Sequence, residues 1–368
     1  MESSDQWAPN MRAGQERDVL KTPRNWLVVT LYSAFLSSSP AAAQALFEVH
    51  EPLSVVLELP TKELLRQAQK KPTFDGLLRY TGVDGTEVSL DIAVTTRGKS
   101  RLEQCQYPPL SINLKRKQVA STIFAGQNKL KLVTQCSGSA SYRRYLNQEY
   151  AIYRIHNLLS DYSFRVRMLE VTYRDSSGRR RDQVQPAFFI ESDKQAAERL
   201  GMTTIKADVV NTSQLDPTQL SILALFQYMI GNTDWSARKG PGTEGCCHNG
   251  KVIAPPDSHN GWVVLPYDFD QSGIINTSYS APSDKLPIKS VRTRLYRGFC
   301  RSNAQLDSTI ALFNDNRAAI EDLFASGPDG PSKNKSALKY LESFYEIVND
   351  PRKRQKRIID ACQGTRTQ

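Results

Sequence analysis

The mostly apolar run Leu220 to Ile230 stops at Gly231 and leads straight into Asn232-Thr233-Asp234-Trp235. A second apolar run, Trp262 to Leu265, leads into Pro266-Tyr267-Asp268-Phe269-Asp270. The first reads as a buried helix and the second as a buried strand. Any fold of this chain must therefore bury two elements and still find a place for the acids at their ends. An ionised carboxylate buried without a partner is costly. Two such deliveries point to a site that holds a metal or manages protons.

The flanking pattern gives the scaffold. Leu53 to Leu59 reads as a strand ended by Pro60, and Thr61 to Gln69 as a short helix capped by Thr61. Phe74 to Tyr80 and Glu87 to Arg97 read as a hairpin around Gly82 and Gly85. Leu110 to Leu114 and Lys129 to Val133 alternate apolar and polar residues, as half-buried strands do. Tyr142 to Leu159 carries a broad apolar helical face. Arg165 to Tyr173 and Gln183 to Ile190 form a second hairpin around the basic turn Ser176 to Arg181, whose arginines read most simply as solvated. Beyond Glu191 helices dominate: Asp216-Pro217 starts the one that runs to Ile230, and helical periodicity returns at 304–313, 317–324 and 336–348. The class is α+β, with a mostly antiparallel sheet and one long helix in front and helices behind.

At the amino end, Lys21 and Arg24 precede the apolar stretch Trp26 to Leu36, and small residues run from Ser37 to Ala45. This is the order of a secretory signal peptide, with cleavage expected after Ala43-Gln44-Ala45. Residues 1–45 are therefore read as a leader and the protein as exported, periplasmic or secreted, with no transmembrane helix beyond the leader. Six cysteines follow it, Cys105, Cys136, Cys246, Cys247, Cys300 and Cys362. In an oxidising compartment they imply disulfides, Cys105 with Cys136 and Cys300 with Cys362 being candidates, although spacing alone does not fix connectivity. Adjacent cysteines fit zinc poorly, which argues against a site of Cys246, Cys247, His248 and His259.

The 368 residues carry a net charge of +10. A basic balance permits anionic partners without choosing among them. No aromatic-and-basic recognition motif is present, so no nucleic-acid partner is expected. The chain also lacks H-E-x-x-H and G-x-S-x-G, which removes the usual signatures of metalloproteases and serine hydrolases.

Asn-Thr-Asp alone can be a plain turn. With Asn249 before a short strand and Asp268 after the next, the order becomes that of phosphoryl transfer. One aspartate accepts a hydroxyl proton, and an asparagine and a second aspartate hold magnesium against nucleotide phosphates. On these residues the chain resembles the CotH-type spore-coat kinases, a family with an atypical protein-kinase fold. Arg97-Gly98-Lys99-Ser100 resembles that family's Arg-Gly-x-Ser stretch, and Phe188-Phe189-Ile190-Glu191 its linking segment, where adenine would lie. Asn232-Thr233-Asp234-Trp235 is similar to its catalytic loop, His248-Asn249 to its asparagine step, and Tyr267-Asp268-Phe269-Asp270 to its Trp-Asp-x-Asp motif.

The resemblance implies a two-lobed fold, with a β-rich nucleotide-binding lobe over 46–190 and a helical lobe over 191–368. It implies Mg-ATP, with Mn2+ as a substitute ion, and a protein or cell-envelope acceptor. Asp234 would be the catalytic base, and Asn249 and Asp268 the metal ligands, with Asp270 a rival. Arg97 and Lys131 (or Lys129 on the same strand face) would reach the phosphates, Glu149 would hold the lysine, and Glu191 would lie beside the adenine. Nucleotidyl transfer, or a binding module without catalysis, are the alternatives. The chain departs from ordinary kinases in having no G-x-G-x-x-G loop. Its segment between Asp234 and Asn249 is long and holds Gly240, Pro241, Gly242, Gly245 and the adjacent cysteines.

Overall fold

In the front part of the chain, strands follow one another with few interruptions. They are β1 (Leu53–Leu59), β2 (Phe74–Thr81), β3 (Glu87–Thr96), β4 (Leu110–Leu114), β5 (Lys129–Thr134), β6 (Val166–Asp175) and β7 (Gln183–Ile190). Between them lie the short helices α1 (Thr61–Arg66), α2 (Ser100–Gln104) and α3 (Arg116–Val119), and the long α4 (Ala140–Leu159). Then come α5 (Asp193–Arg199), β8 (Thr203–Ile205), α6 (Pro217–Ile230), β9 (Gly250–Ala254) and β10 (Val263–Pro266). Helices α7 (Leu306–Asp315), α8 (Arg317–Ala325), α9 (Gly330–Val348) and α10 (Pro351–Arg354) complete the order. This is a computed structural model, and it describes residues 46–364. The leader expected over 1–45 lies outside the described residues.

The two-lobed kinase-like fold is not what the chain forms. Strands β1 to β7 close into a barrel in the order β1-β2-β3-β4-β5-β7-β6. Six ladders are antiparallel, and the seventh, β1 with β6, is parallel and runs from Leu53↔Leu169 to Leu59↔Asp175. That seam removes both sheet edges, and with them the open sheet that a kinase-like lobe needs. The cause is side-chain period. Val55, Leu57 and Leu59 face inward from β1, as Leu169 and Val171 do from β6, so pairing the two strands buries both sets at once.

The barrel wall has two apolar faces on one side. On β7, Ala187 and Phe189 fill the interior, while Phe188 and Ile190 point outward into a second core. Helices α4, α6 and α9 supply about half of that outer core, through residues such as Ile152, Phe226 and Phe344. The run Ala187-Phe188-Phe189-Ile190 is continuous because both faces of β7 are covered.

Helix α6 keeps the boundaries its sequence signals. Asp216 accepts a hydrogen bond from the Gln219 N–H (2.8 Å), and Pro217 occupies the first turn. Gly231 ends the helix at φ +67°, where a Cβ would collide with the Tyr340 hydroxyl. Strand β8, from before α6, pairs with β9, and β9 with β10, in a small antiparallel sheet.

All six cysteines are bonded, as Cys105–Cys136, Cys246–Cys247 and Cys300–Cys362. The first and third close loops with sequence separations of 31 and 62. Loop-closure entropy gives each about 4 kcal/mol of stabilisation. Among the described residues, no helix is long and apolar enough to cross a membrane.

Candidate active site

The left-handed Gly231 turns the chain out of α6 so that Asp234 emerges beside the core. Buried Asn232 fixes the loop, its Oδ1 accepting from the Asp234 N–H (2.9 Å). The long segment after Asp234 does not carry Asn249 away. The Ser236 N–H donates to the His248 carbonyl (3.1 Å), so the two ends of the segment run antiparallel and the rest loops out. His248 Nε2 then lies 2.7 Å from Asp234 Oδ1. Asn249 Nδ2 donates to Asp234 Oδ2 (2.9 Å) and to the Asp234 carbonyl (2.7 Å). Both carboxylate oxygens of Asp234 are thus engaged, yet its side chain stays 45% exposed. The bond to Asp234 raises the His248 pKa above its ordinary 6.5.

Register brings the second acid to the same place. In the β9–β10 ladder Pro266 faces Gly250, and the Tyr267 N–H extends the ladder by donating to the Asn249 carbonyl (3.1 Å). Asn249 therefore neighbours Asp268. Both hold positive φ, +48° and +65°. Such backbone is uncommon for non-glycine residues, and Asn and Asp tolerate it best. The Asp268 N–H is held by the Tyr153 hydroxyl (3.0 Å).

Arg101, on α2, organises the floor of the cleft. Its Nε donates to Asp270 (2.9 Å), and its terminal nitrogen to Glu149 (2.8 Å) and Asp268 (3.3 Å). The expected lysine–Glu149 pair is replaced by this arginine. Glu149 and Asp270 are almost wholly buried, whereas Asp268 is 42% exposed. Burial holds Glu149 up at about 7 despite the arginine. Asp268 is raised as well, by desolvation and by the carboxylate of Asp270. Asp270 also accepts from the Tyr279 hydroxyl (3.2 Å), so its side chain is committed to the floor.

The candidate cations divide. Lys131 points outward from β5, with its ammonium 5.0 Å from the Tyr267 ring centre and 5.2 Å from that of Phe164. It has no hydrogen-bond partner among the described residues, and burial, with Arg97 nearby, lowers its pKa to about 8. Lys129 is exposed at the strand end. Arg97 lines the cleft with Lys99, Arg101, Glu149, Tyr267 and Asp268, and its guanidinium has no partner among the described residues. The Glu191 carboxylate is clamped by Arg199 (3.0 and 2.9 Å) and is not presented to the cleft, although neighbouring Ile190 lines it.

Arg101 is the main residue that sequence reasoning missed. It follows Arg97-Gly98-Lys99-Ser100 directly, but a five-residue helix among other basic residues gives no sign of which one turns inward. Among the described residues, no three His, Cys, Asp or Glu side chains group to hold a metal ion. Magnesium needs few protein ligands, since it keeps waters and takes phosphate oxygens. The exposed part of Asp268 and the Asn249 side-chain oxygen, which makes no bond here, fit that requirement. No protein-family model matches the chain, and no curated protein matches it.

Proposed function

We propose that this chain transfers a phosphoryl group from Mg-ATP to a hydroxyl of a protein or cell-envelope acceptor. One observation carries the reading. Asn249 is hydrogen-bonded to Asp234 and set beside Asp268 by strand register, and Asp268 lines a cleft with Arg97, whose guanidinium has no partner among the described residues. The reading keeps the chemistry implied by the resemblance to CotH-type kinases and does without their fold. The three disulfides support maturation in an oxidising compartment, hence export.

In this scheme Asp234 accepts the proton of the acceptor hydroxyl as its oxygen attacks the terminal phosphorus. The bond from phosphorus to the bridging oxygen breaks, and nucleoside diphosphate leaves with the electron pair. Arg97 offers positive charge to the phosphates, whereas the Lys131 ammonium is buried between the Phe164 and Tyr267 rings and does not line the cleft. Asn249 and Asp268 would hold magnesium, which when bound supplies charge neutralisation at the phosphate oxygens. Arg101 holds Asp268 in place and keeps Glu149 and Asp270 from standing as unpaired buried charges.

Nucleotide binding tests the reading without knowledge of the acceptor. At 100 times its dissociation constant, Mg-ATP should add ~2.7 kcal/mol to unfolding stability. Arg97→Ala should shrink that shift, measured by thermal denaturation. No shift with any nucleotide and Mg2+ would leave a binding module without catalysis as the better account.

His248 gives the reaction a pH dependence. Its folded pKa is raised above 6.5 by the bond to Asp234, so on the acid side of that raised value an imidazolium sits on Asp234 and withholds the base. As pH rises through that value, the imidazole loses its proton and the carboxylate becomes the stronger acceptor. The rate is therefore expected to climb along a limb centred above about 6.5, and His248→Gln should abolish that limb. An unchanged profile in the variant would remove His248 from this role. The sign for stability is opposite. The contribution of the pair is full below the unfolded pKa and is lost as pH rises through the folded one.

A further inference from the structure

Between Asp234 and Asn249 the chain carries Cys246–Cys247, a disulfide between adjacent residues. Its loop closure does little for the fold as a whole. The stabilisation from a disulfide grows with the logarithm of the loop it closes. A sequence separation of 1 is the least a chain allows, against 31 and 62 for the other two pairs. What the bond does is local. It locks the two residues that lead straight into His248 and Asn249.

The lock sits where the two ends of the long segment meet. The Cys246 N–H donates to the Ala207 carbonyl (2.7 Å), and Cys246 Sγ lies 3.7 Å from the Ala237 carbonyl oxygen. Both cysteines pack against an apolar cluster that includes Trp235, Ala237 and Val264. Trp235 directly follows Asp234, so one cluster backs both sides of the Ser236–His248 contact. From there His248 Nε2 and Asn249 Nδ2 reach the Asp234 carboxylate (2.7 and 2.9 Å). Fixing Cys246 and Cys247 therefore fixes the approach of both side chains to Asp234.

The pair is also the best placed of the disulfides to meet a thiol. Cys246 and Cys247 are both half-buried, and residues 241–245 before them are exposed. In each of the other pairs one cysteine is buried, Cys136 at 8% exposure and Cys300 at 3%. Thiol–disulfide exchange needs access for the attacking thiolate.

We infer that Cys246–Cys247 is a redox-sensitive positioning pair for the candidate site. A thiolate of an external dithiol attacks one sulfur, the S–S bond breaks and a mixed disulfide forms. The second thiolate of the dithiol then displaces the cysteine and closes the reductant into a disulfide. Cys246 and Cys247 take up two electrons and two protons, and the dithiol is oxidised. Freed from the bond, the backbone from Cys246 to His248 loses its fixed path, and His248 and Asn249 lose their places beside Asp234. The oxidised chain holds the site assembled and the reduced chain does not. The effect on nucleotide rests on the phosphoryl-transfer reading, whereas the displacement of His248 does not.

The test starts with titration of the folded protein with dithiothreitol, alkylation with iodoacetamide and peptide mass spectrometry. Cys246 and Cys247 should be labelled before Cys105, Cys136, Cys300 and Cys362, and reduction of all the pairs together overturns the assignment. At that degree of reduction the His248 ring resonance, followed by NMR at one fixed pH, should shift, and reoxidation should return it. The dissociation constant for Mg-ATP should rise about tenfold, the scale on which supporting residues affect metal affinity. The double variant Cys246→Ser/Cys247→Ser should show the resonance of the reduced protein and no response to dithiothreitol, with thermal denaturation confirming that it is folded. If the variant fails to fold, the selectively reduced natural protein carries the same comparison. A His248 resonance indifferent to reduction overturns the positioning role, whatever the nucleotide does. A resonance that moves in a protein that binds no nucleotide in either state upholds that role and removes the phosphoryl-transfer reading instead.

Discussion

Replacing Arg101 with methionine is expected to destabilise the fold by about 3–5 kcal/mol, the range for removing one partner of a buried ion pair. Arg101 is 11% exposed and serves Glu149, Asp268 and Asp270 together. Without it, two almost fully buried carboxylates and a third at the cleft face one another alone. The loss should depend on pH. Burial already raises the Glu149 pKa to about 7. A group whose folded pKa is raised gives its full contribution below its unfolded value and loses it as pH rises through the folded one. Removing the guanidinium raises that folded pKa further. The variant should therefore be weakest at alkaline pH and closest to the natural protein at about pH 5, where Glu149 is largely protonated. Denaturant unfolding at the two pH values checks this, and an equal loss at both would show that the arginine acts through packing alone. Arg101→Lys should recover only part of the loss, because an ammonium cannot reproduce the planar fork that reaches three acids.

Asp234→Asn is expected to cut phosphoryl transfer by about 10² to 10⁴, the usual contribution of a positioned general base. The same variant carries its own structural control. His248 owes its raised pKa first to the hydrogen bond with Asp234, so its NMR titration should move back toward 6.5. If the titration moves and transfer persists, Asp234 pairs with His248 but is not the base. If neither changes, the contact itself is absent in solution. Each outcome has a separate reading, and neither depends on the identity of the acceptor.

What could be read from the sequence was local. Asp216-Pro217 and Gly231 bound α6, the alternation of Leu110 to Leu114 marks β4, and the acids after Ile230 and Leu265 mark the candidate site. Each signal lies within a few residues of its effect. What could not be read was pairing at a distance. Nothing near Leu53 says that β1 will lie parallel to β6, so a closed barrel was invisible and a kinase-like sheet was inferred in its place. Arg101 was missed for the same reason, since the three acids that explain it come from α4 and from the segment after β10. Asn249 is a candidate that the sequence offers, but its closeness to Asp234 depends on the antiparallel return of a loop whose length suggests separation.

The parallel seam of the barrel also sets an order of events. Strand β1 can form its antiparallel hairpin partner early, because β2 follows closely. Its other edge waits until β6 has been made, after β3, β4, β5 and α4. Until then, the inward leucines of β1 have only half their cover. A chain of such high contact order folds slowly, and its early forms expose apolar surface.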